Sequence, residues 1–234
     1  MIAKNLKSVR QRIARCCEKS GRSPEEISLV CVTKEASVDE IGEVLGLGVR
    51  DLGENRVQEL AAKHKVIGDK AAWHLVGHLQ TNKVRDAVKV STLIHSVDSV
   101  KLAKEIDKVA AKLNKVQNVL IQVNPVRNIV SNGVSTSGEA AKFGVSPDEI
   151  FGLLNEVSPY RNISIKGLMT IAPEVDNPEL VRPFFRKLKE LLDRINTKHN
   201  AQYTILSMGM TNDFEVAIEE GSNMVRIGRA IFGA

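Results

Sequence analysis

The chain has 234 residues, 43% hydrophobic and 26% charged, with a formal net charge of +5 and a pI near 9.1. That is ordinary globular material for one or two domains with a large core. The positive balance does not imply a nucleic-acid partner: Lys and Arg are mixed with Asp and Glu, and aromatics are only 4% of the chain, too few for a base-stacking platform.

Met1 to Arg12 scatters Lys4, Lys7, Arg10 and Arg12 among apolar residues, so no uninterrupted secretory core opens the chain. No later apolar run approaches the roughly 18–20 residues that a membrane span needs. Ile2, Leu6, Val9, Ile13 and Cys16 recur at three- and four-residue steps, which predicts an opening helix stopped by Gly21. Cys16 and Cys17 are adjacent and Cys31 stands apart, a pattern without a disulfide framework. A cytoplasmic location and no membrane partner are therefore expected.

Ser23-Pro24 begins a turn, and the first strand follows at 27–33. Further strands are predicted at 49–52, 72–76, 92–96, 119–123, 163–169, 204–207 and 223–227. Helical patterns separate them, such as Leu102, Ala103, Ile106, Val109, Ala110 and Leu113, or Leu180, Phe184, Leu188, Leu191, Leu192 and Ile195. Strands so separated pair in parallel through right-handed crossovers. An open doubly wound sheet is the alternative. No Gly-x-Gly-x-x-Gly follows the first strand, however, and Gly46-Leu-Gly48 sits at a helix end. The expectation is one α/β domain over residues 1–234, a single (β/α)8 TIM barrel with an extra N-terminal helix.

Such barrels build their sites just beyond the strand C-termini. Polar residues collect there in turn: Lys34, Glu54, Asn55, His78, Ser96, Asp98, Asn124 and Thr170. Ser207, Gly209 and Thr211 continue the series, and Arg226, Gly228 and Arg229 close it. Lys34 directly follows Ser28-Leu-Val-Cys-Val-Thr33. A lysine at the mouth, partly desolvated and near other cations, is a candidate amine nucleophile for an aldehyde. A strand-end lysine that simply reaches water fits the same position.

Ser207-Met-Gly-Met-Thr-Asn-Asp213 leads from a strand into a helix, and Met-Val-Arg226-Ile-Gly228-Arg229 ends the last strand. Together they read either as a phosphate site or as a capped turn without ligand. His74 and His78 lie four apart, about 13 Å along a strand, too far for one metal ion. No metal is predicted, and His74 reads as a core or supporting histidine.

Several motifs resemble the pyridoxal phosphate homeostasis proteins, in order and over nearly the whole chain. They are Val30-Cys-Val-Thr-Lys34, Leu52-Gly-Glu-Asn-Arg-Val-Gln-Glu59, Trp73-His-Leu-Val-Gly-His-Leu-Gln-Thr-Asn-Lys83 and Ile94-His-Ser-Val-Asp98. Gly167-Leu-Met169, Leu206-Ser-Met-Gly-Met-Thr-Asn-Asp-Phe214 and Met224-Val-Arg-Ile-Gly228 continue the match. The resemblance implies the barrel of the alanine racemase N-terminal domain and a role in intracellular homeostasis of pyridoxal 5′-phosphate (PLP). It implies PLP bound covalently to Lys34 as a Schiff base. Asn55 would lie beside the ring, Arg226 would face the pyridine nitrogen, and Ser207, Gly228 and Arg229 would hold the phosphate. His78 and Gly209 complete the implied cofactor-binding set. A guanidinium at the ring nitrogen keeps that nitrogen unprotonated and makes the ring a weaker electron sink.

Two features depart from the family pattern. Family members most often have Thr where Arg229 stands. Pro125 to Ser135 also intervene between Val123-Asn124 and Thr136-Ser-Gly-Glu139. With Asn132-Gly133 as its turn, that insertion reads as a small hairpin that narrows access to the cofactor, or as an insertion with no role.

The implied partners are PLP, related B6 vitamers and apo PLP enzymes, with the chain a monomer or weak homodimer. The expected role is a carrier or regulator without catalytic turnover; an amino-acid racemase is the alternative. Racemisation needs acid/base groups on both faces of the α-carbon. In the racemases the second group is a tyrosine from a C-terminal domain, whereas this chain ends at Ala234. Tyr160 and Tyr203 precede strands, at the opposite end of the barrel, and no catalytic residue is assigned.

Overall fold

The computed structural model describes residues 1–124 and 143–233. Eight strands close into a barrel in sequence order: β1 (Ser28–Val32), β2 (Asp51–Glu54), β3 (Ala72–Leu75), β4 (Leu93–Val97), β5 (Gln117–Gln122), β6 (Ile163–Met169), β7 (Ile205–Ser207) and β8 (Met224–Ile227). Neighbours are parallel throughout, and β8 closes onto β1 with Val30 opposite Arg226. The helices are α1 (Ile2–Ser20), α2 (Val38–Gly46), α3 (Val57–Ile67), α4 (Val84–Val90), α5 (Val100–Lys112), α6 (Ile150–Val157), α7 (Arg182–His199), α8 (Phe214–Glu219) and α9 (Arg229–Phe232). The (β/α)8 barrel and its opening helix are those the hydrophobic periodicity predicts. The insertion at 125–135 lies outside the described residues.

β2 is displaced by two residues at both ends, running from Asp51 to Glu54 rather than from Val49 to Leu52. Val49 N–H still bonds back to Val44 O across the turn at Gly48, whose φ is +83°. The strand therefore opens on a charged residue, which apolar alternation does not reveal. Two helical stripes are also shorter than their periodicity suggests. Leu113 is the cap residue after α5 and 38% exposed; Leu180 lies in a 3₁₀ turn (Pro178–Val181) that Asn177 caps, and is 50% exposed.

Alternation along the strands divides their side chains between two cores. Val30, Val76, Leu93, Leu120, Met169 and Met224 pack together inside the barrel. Cys31, Leu52, Trp73, Ile94 and Leu168 instead meet the helices, which bury Leu102, Ile106, Phe185, Leu188 and Ile195 against them. Helix α1 packs on α2, α8 and α9, covering the side where β8 meets β1. Arg12 of α1 forms a two-pronged bond to Glu215 at 2.8 and 2.7 Å. Gly21 ends α1 at φ +65°. All three cysteines are buried and free. Among the described residues no helix is long and apolar enough to cross a membrane.

Gly167 is where the barrel tolerates no side chain: a Cβ there would lie 1.8 Å from Ile205 O on β7. Gly167→Ala is expected to lower unfolding free energy by about 3 kcal/mol or more, because strand backbone has to move. Urea unfolding measures it, and a loss under about 1 kcal/mol would mean β6 and β7 part easily.

Candidate functional site

Residues just past the C-terminal ends of β1, β2, β3, β6, β7 and β8 enclose a cleft of about 500 Å³. Its wall includes Lys34, Asn55, Thr211, Asn212, Arg226 and Arg229, with apolar surface from Val32, Val76 and Ile171. Of the positions singled out in the sequence, Lys34, Asn55, Thr211, Arg226, Gly228 and Arg229 share this wall. His78, Ser207 and Gly209 are not part of it.

Lys34 sits in a turn that Ala36 N–H closes onto Thr33 O at 2.9 Å. A buried polar cluster fixes that turn from behind. Thr33 Oγ1 donates to Glu54 Oε1 at 2.6 Å, and Lys63 Nζ of α3 donates to the same oxygen at 2.7 Å and to Thr33 O. Glu54 is fully buried, and its Oε2 has no hydrogen-bond partner among the described residues. Lys34 itself is less enclosed than its position suggests. Its side chain is 44% exposed, 3.5 Å from Glu35 Oε1, because the turn lifts it above the apolar rim.

Arg226 is the opposite case, 4% exposed and inside the barrel. Its Nη1 donates to Ser207 Oγ at 2.7 Å and its Nη2 to Thr170 O at 2.8 Å. Burial pushes the guanidinium down to about 10, and Asp213 partly offsets this, so it remains a cation at neutral pH. Asp213 accepts from Met210 N at 2.6 Å and thereby closes the loop between β7 and α8. Burial raises its carboxyl above the ordinary value, against the pull of that bond and of Arg226.

Gly209 lies beneath this loop with φ +94°, and a Cβ would meet Phe214 Cα at 2.8 Å. Its part is to let the loop pack on α8. His78 stacks on Phe143 with ring centroids 3.9 Å apart, and its Nδ1 is 3.7 Å from Asp98 Oδ2. His74 is a buried interior residue bonded to Asp51 and His95.

Sequence reasoning did not single out His95, Asp51 or Lys63. It also passed over the segment after β6, where Ile171, Pro173, Glu174 and Pro178 form one side of the cleft. The two prolines in that stretch were the available signal for a shaped loop.

The geometry is that of a parallel barrel with a cationic cleft at its C-terminal mouth. A model of the family described as "Alanine racemase, N-terminal domain" matches residues 4–234, which defines the class of barrel. The curated pyridoxal phosphate homeostasis protein of Aquifex aeolicus is 43% identical, over 97% of this chain and 96% of its own. The structure of PipY from Synechococcus elongatus PCC7942, with PLP bound, aligns at a TM-score of 0.82 and 30% identity, covering 100% of both chains. An alanine racemase of Clostridium difficile shares the fold at a TM-score of 0.65 and 18% identity, covering 99% of this chain but 56% of its own. The chain belongs to the pyridoxal phosphate homeostasis protein family.

Lys63→Ala would leave the Glu54 carboxylate enclosed without its ammonium. A loss of about 3–5 kcal/mol in urea unfolding is expected. The double variant Lys63→Ala/Glu54→Leu is expected to recover most of that loss. Equal losses in the two variants would mean the pair does not act as a unit.

Proposed function

We propose that this chain binds PLP at the barrel mouth, with the Lys34 amine as the group that bonds to its aldehyde carbon, and takes part in cellular handling of that cofactor. The observation that carries this reading is that one cleft holds a primary amine at its rim and a buried guanidinium at its floor. The donor set suits a phosphorylated pyridine aldehyde. Lys34 supplies the amine, and Arg226, a donor without acceptor capacity, suits a ring nitrogen. Val32, Val76 and Ile171 offer apolar surface to a ring, and Arg229 and Thr211 offer charge and a hydroxyl to a phosphate. When bound, PLP supplies an electron-withdrawing ring conjugated to whatever amine holds it.

Each side chain has a separate task in this reading. Asn55 lies against the ring. Arg226, still protonated, disfavours a second proton on the nitrogen it faces and so restrains carbanion chemistry. Gly228 and Arg229 bring backbone to the phosphate from the end of β8. Thr211, whose Oγ1 is 3.4 Å from Ala230 N, meets it from the β7 loop. Ser207 supports Arg226 from below, Gly209 shapes the loop, and His78 with Phe143 borders the mouth.

The role is that of a carrier or regulator of PLP rather than a racemase. No tyrosine, the residue type that serves opposite the lysine in the racemases, is among the described residues that line the cleft; its acidic side chains are Glu174 and Asp213, and Asp213 is buried and engaged by Met210 N. Tyr160 and Tyr203 precede β6 and β7, at the other end of the strands, and burial raises the Tyr203 hydroxyl. PLP, related vitamers and apo PLP enzymes are the partners of this reading, with no nucleic acid or membrane. Three free, buried cysteines suit a reducing cytoplasm.

Full-length Lys34→Ala, mixed with PLP, is expected to lose the visible absorbance that wild type acquires, with an unchanged far-UV circular dichroism spectrum. A variant that still turns yellow would contradict the assignment. Incubation of the PLP-loaded wild type with L-alanine or L-serine is expected to yield no D-isomer at enzymatic rates. Turnover of order 1 s⁻¹ would make it a racemase.

A further inference from the structure

Below the cleft, the barrel interior contains polar side chains joined end to end. Arg226 Nη1 donates to Ser207 Oγ at 2.7 Å, and Ser207 Oγ lies 3.1 Å from His95 Nδ1. His95 Nε2 lies 2.9 Å from His74 Nδ1, and His74 Nε2 lies 2.9 Å from Asp51 Oδ1. The five come from β8, β7, β4, β3 and β2. Ser207 and His95 are wholly enclosed and His74 is 3% exposed, whereas the Asp51 side chain, at the start of β2, is 36% exposed. The string thus runs from solvent at the N-terminal end of the strands to the guanidinium at the cleft.

Hydrogen counting gives it one direction. Arg226 only donates, so Ser207 Oγ accepts and its own proton is left for His95 Nδ1. Enclosure above all, reinforced by the Arg226 guanidinium, holds His95 far below the ordinary histidine value and therefore neutral. A neutral imidazole carries one N–H; with Nδ1 accepting, Nε2 donates to His74 Nδ1. His74 then donates from Nε2 to the Asp51 carboxylate. Every group is satisfied once. The reverse order would strand the Ser207 proton in a sealed interior and require two protons on His74.

We infer that Asp51, His74 and His95 are positioning residues for Arg226, acting through Ser207 to fix the guanidinium where it meets bound PLP. The inference rests on the reading of Arg226 as the group that faces the cofactor ring. Its physical content is twofold. The aligned dipoles present their negative ends toward the buried cation and terminate in a carboxylate, which offsets the cost of enclosing that charge. Each ring also has a single tautomer, so Ser207 offers Arg226 an oxygen in one fixed orientation.

The first arm of the test uses cofactor-free, full-length wild type labelled with ¹⁵N-histidine. Long-range ¹H–¹⁵N spectra near pH 8 are expected to show both His74 and His95 neutral with the proton on Nε2. An Nδ1–H tautomer or an imidazolium at either residue would overturn the chain as drawn. The second arm compares Asp51→Ala and Asp51→Asn, at the end of the barrel away from the cleft. Asp51→Ala is expected to weaken PLP binding at least about fivefold and to move the visible band of the bound cofactor, while borohydride still traps PLP on Lys34. Asp51→Asn, which keeps an acceptor for His74 Nε2–H, is expected to return most of both effects. Wild-type affinity and spectrum in Asp51→Ala would overturn the positioning role. Absence of trapped PLP in wild type would instead remove the cofactor reading and leave the spectra of the first arm to stand on their own.

Discussion

A cation held out of water inside a closed barrel is the constraint around which the rest of the molecule is arranged. Arg226 is 4% exposed, and the carboxylate closest to a counter-charge for it, Asp213, is itself buried and engaged by Met210 N. Enclosing a guanidinium is tolerable only when its donors meet well-placed acceptors. Ser207 Oγ and Thr170 O supply them from β7 and the end of β6. β7 is the hydrogen-bonded neighbour of β8, and closure onto β1 shuts the cation in from the other side. An open sheet would leave β8 as an edge and bring neither β1 nor the β6 end around it.

Closure also sets the spacing between the two chemically distinctive cations. Val30 pairs with Arg226 across the β1–β8 seam, and Lys34 follows at the next turn of chain beyond β1. One group is thus sunk at the floor, charged and donor-only, while the other stands at the rim with much of its side chain in solvent. The rim lysine is steadied from outside the barrel by Glu54 and Lys63, the floor arginine from inside by Ser207. The two supports share no residue, so each cation can be perturbed without the other.

Much of this was legible in the sequence, for reasons that differ by element. The strands were readable because β-branched runs such as Leu29-Val-Cys-Val32 alternate with helical stripes, and Gly21 and Gly48 punctuate them. Lys34, Asn55 and Arg226 were readable because strand ends in such barrels point to one face. What stayed hidden depends on which strands become neighbours in space. His95 sits in Leu93-Ile-His-Ser-Val97 without local distinction, and its significance appears only when His74 and Ser207 converge on it. Lys63 looks like an exposed position on α3 until the helix docks and brings its ammonium to Glu54 and Thr33. The exposure of Lys34 depends on a turn geometry that strand periodicity does not encode.

The central claim is that the amine at the end of β1 is the group that holds PLP, above an arginine the barrel has buried for the ring. Borohydride reduction of the PLP-loaded full-length protein, followed by mass analysis of its peptides, tests this most directly. One phosphopyridoxyl group per chain, on the peptide carrying Lys34, is the predicted result. Label spread over other lysines, or a chain that emerges unmodified, would contradict it.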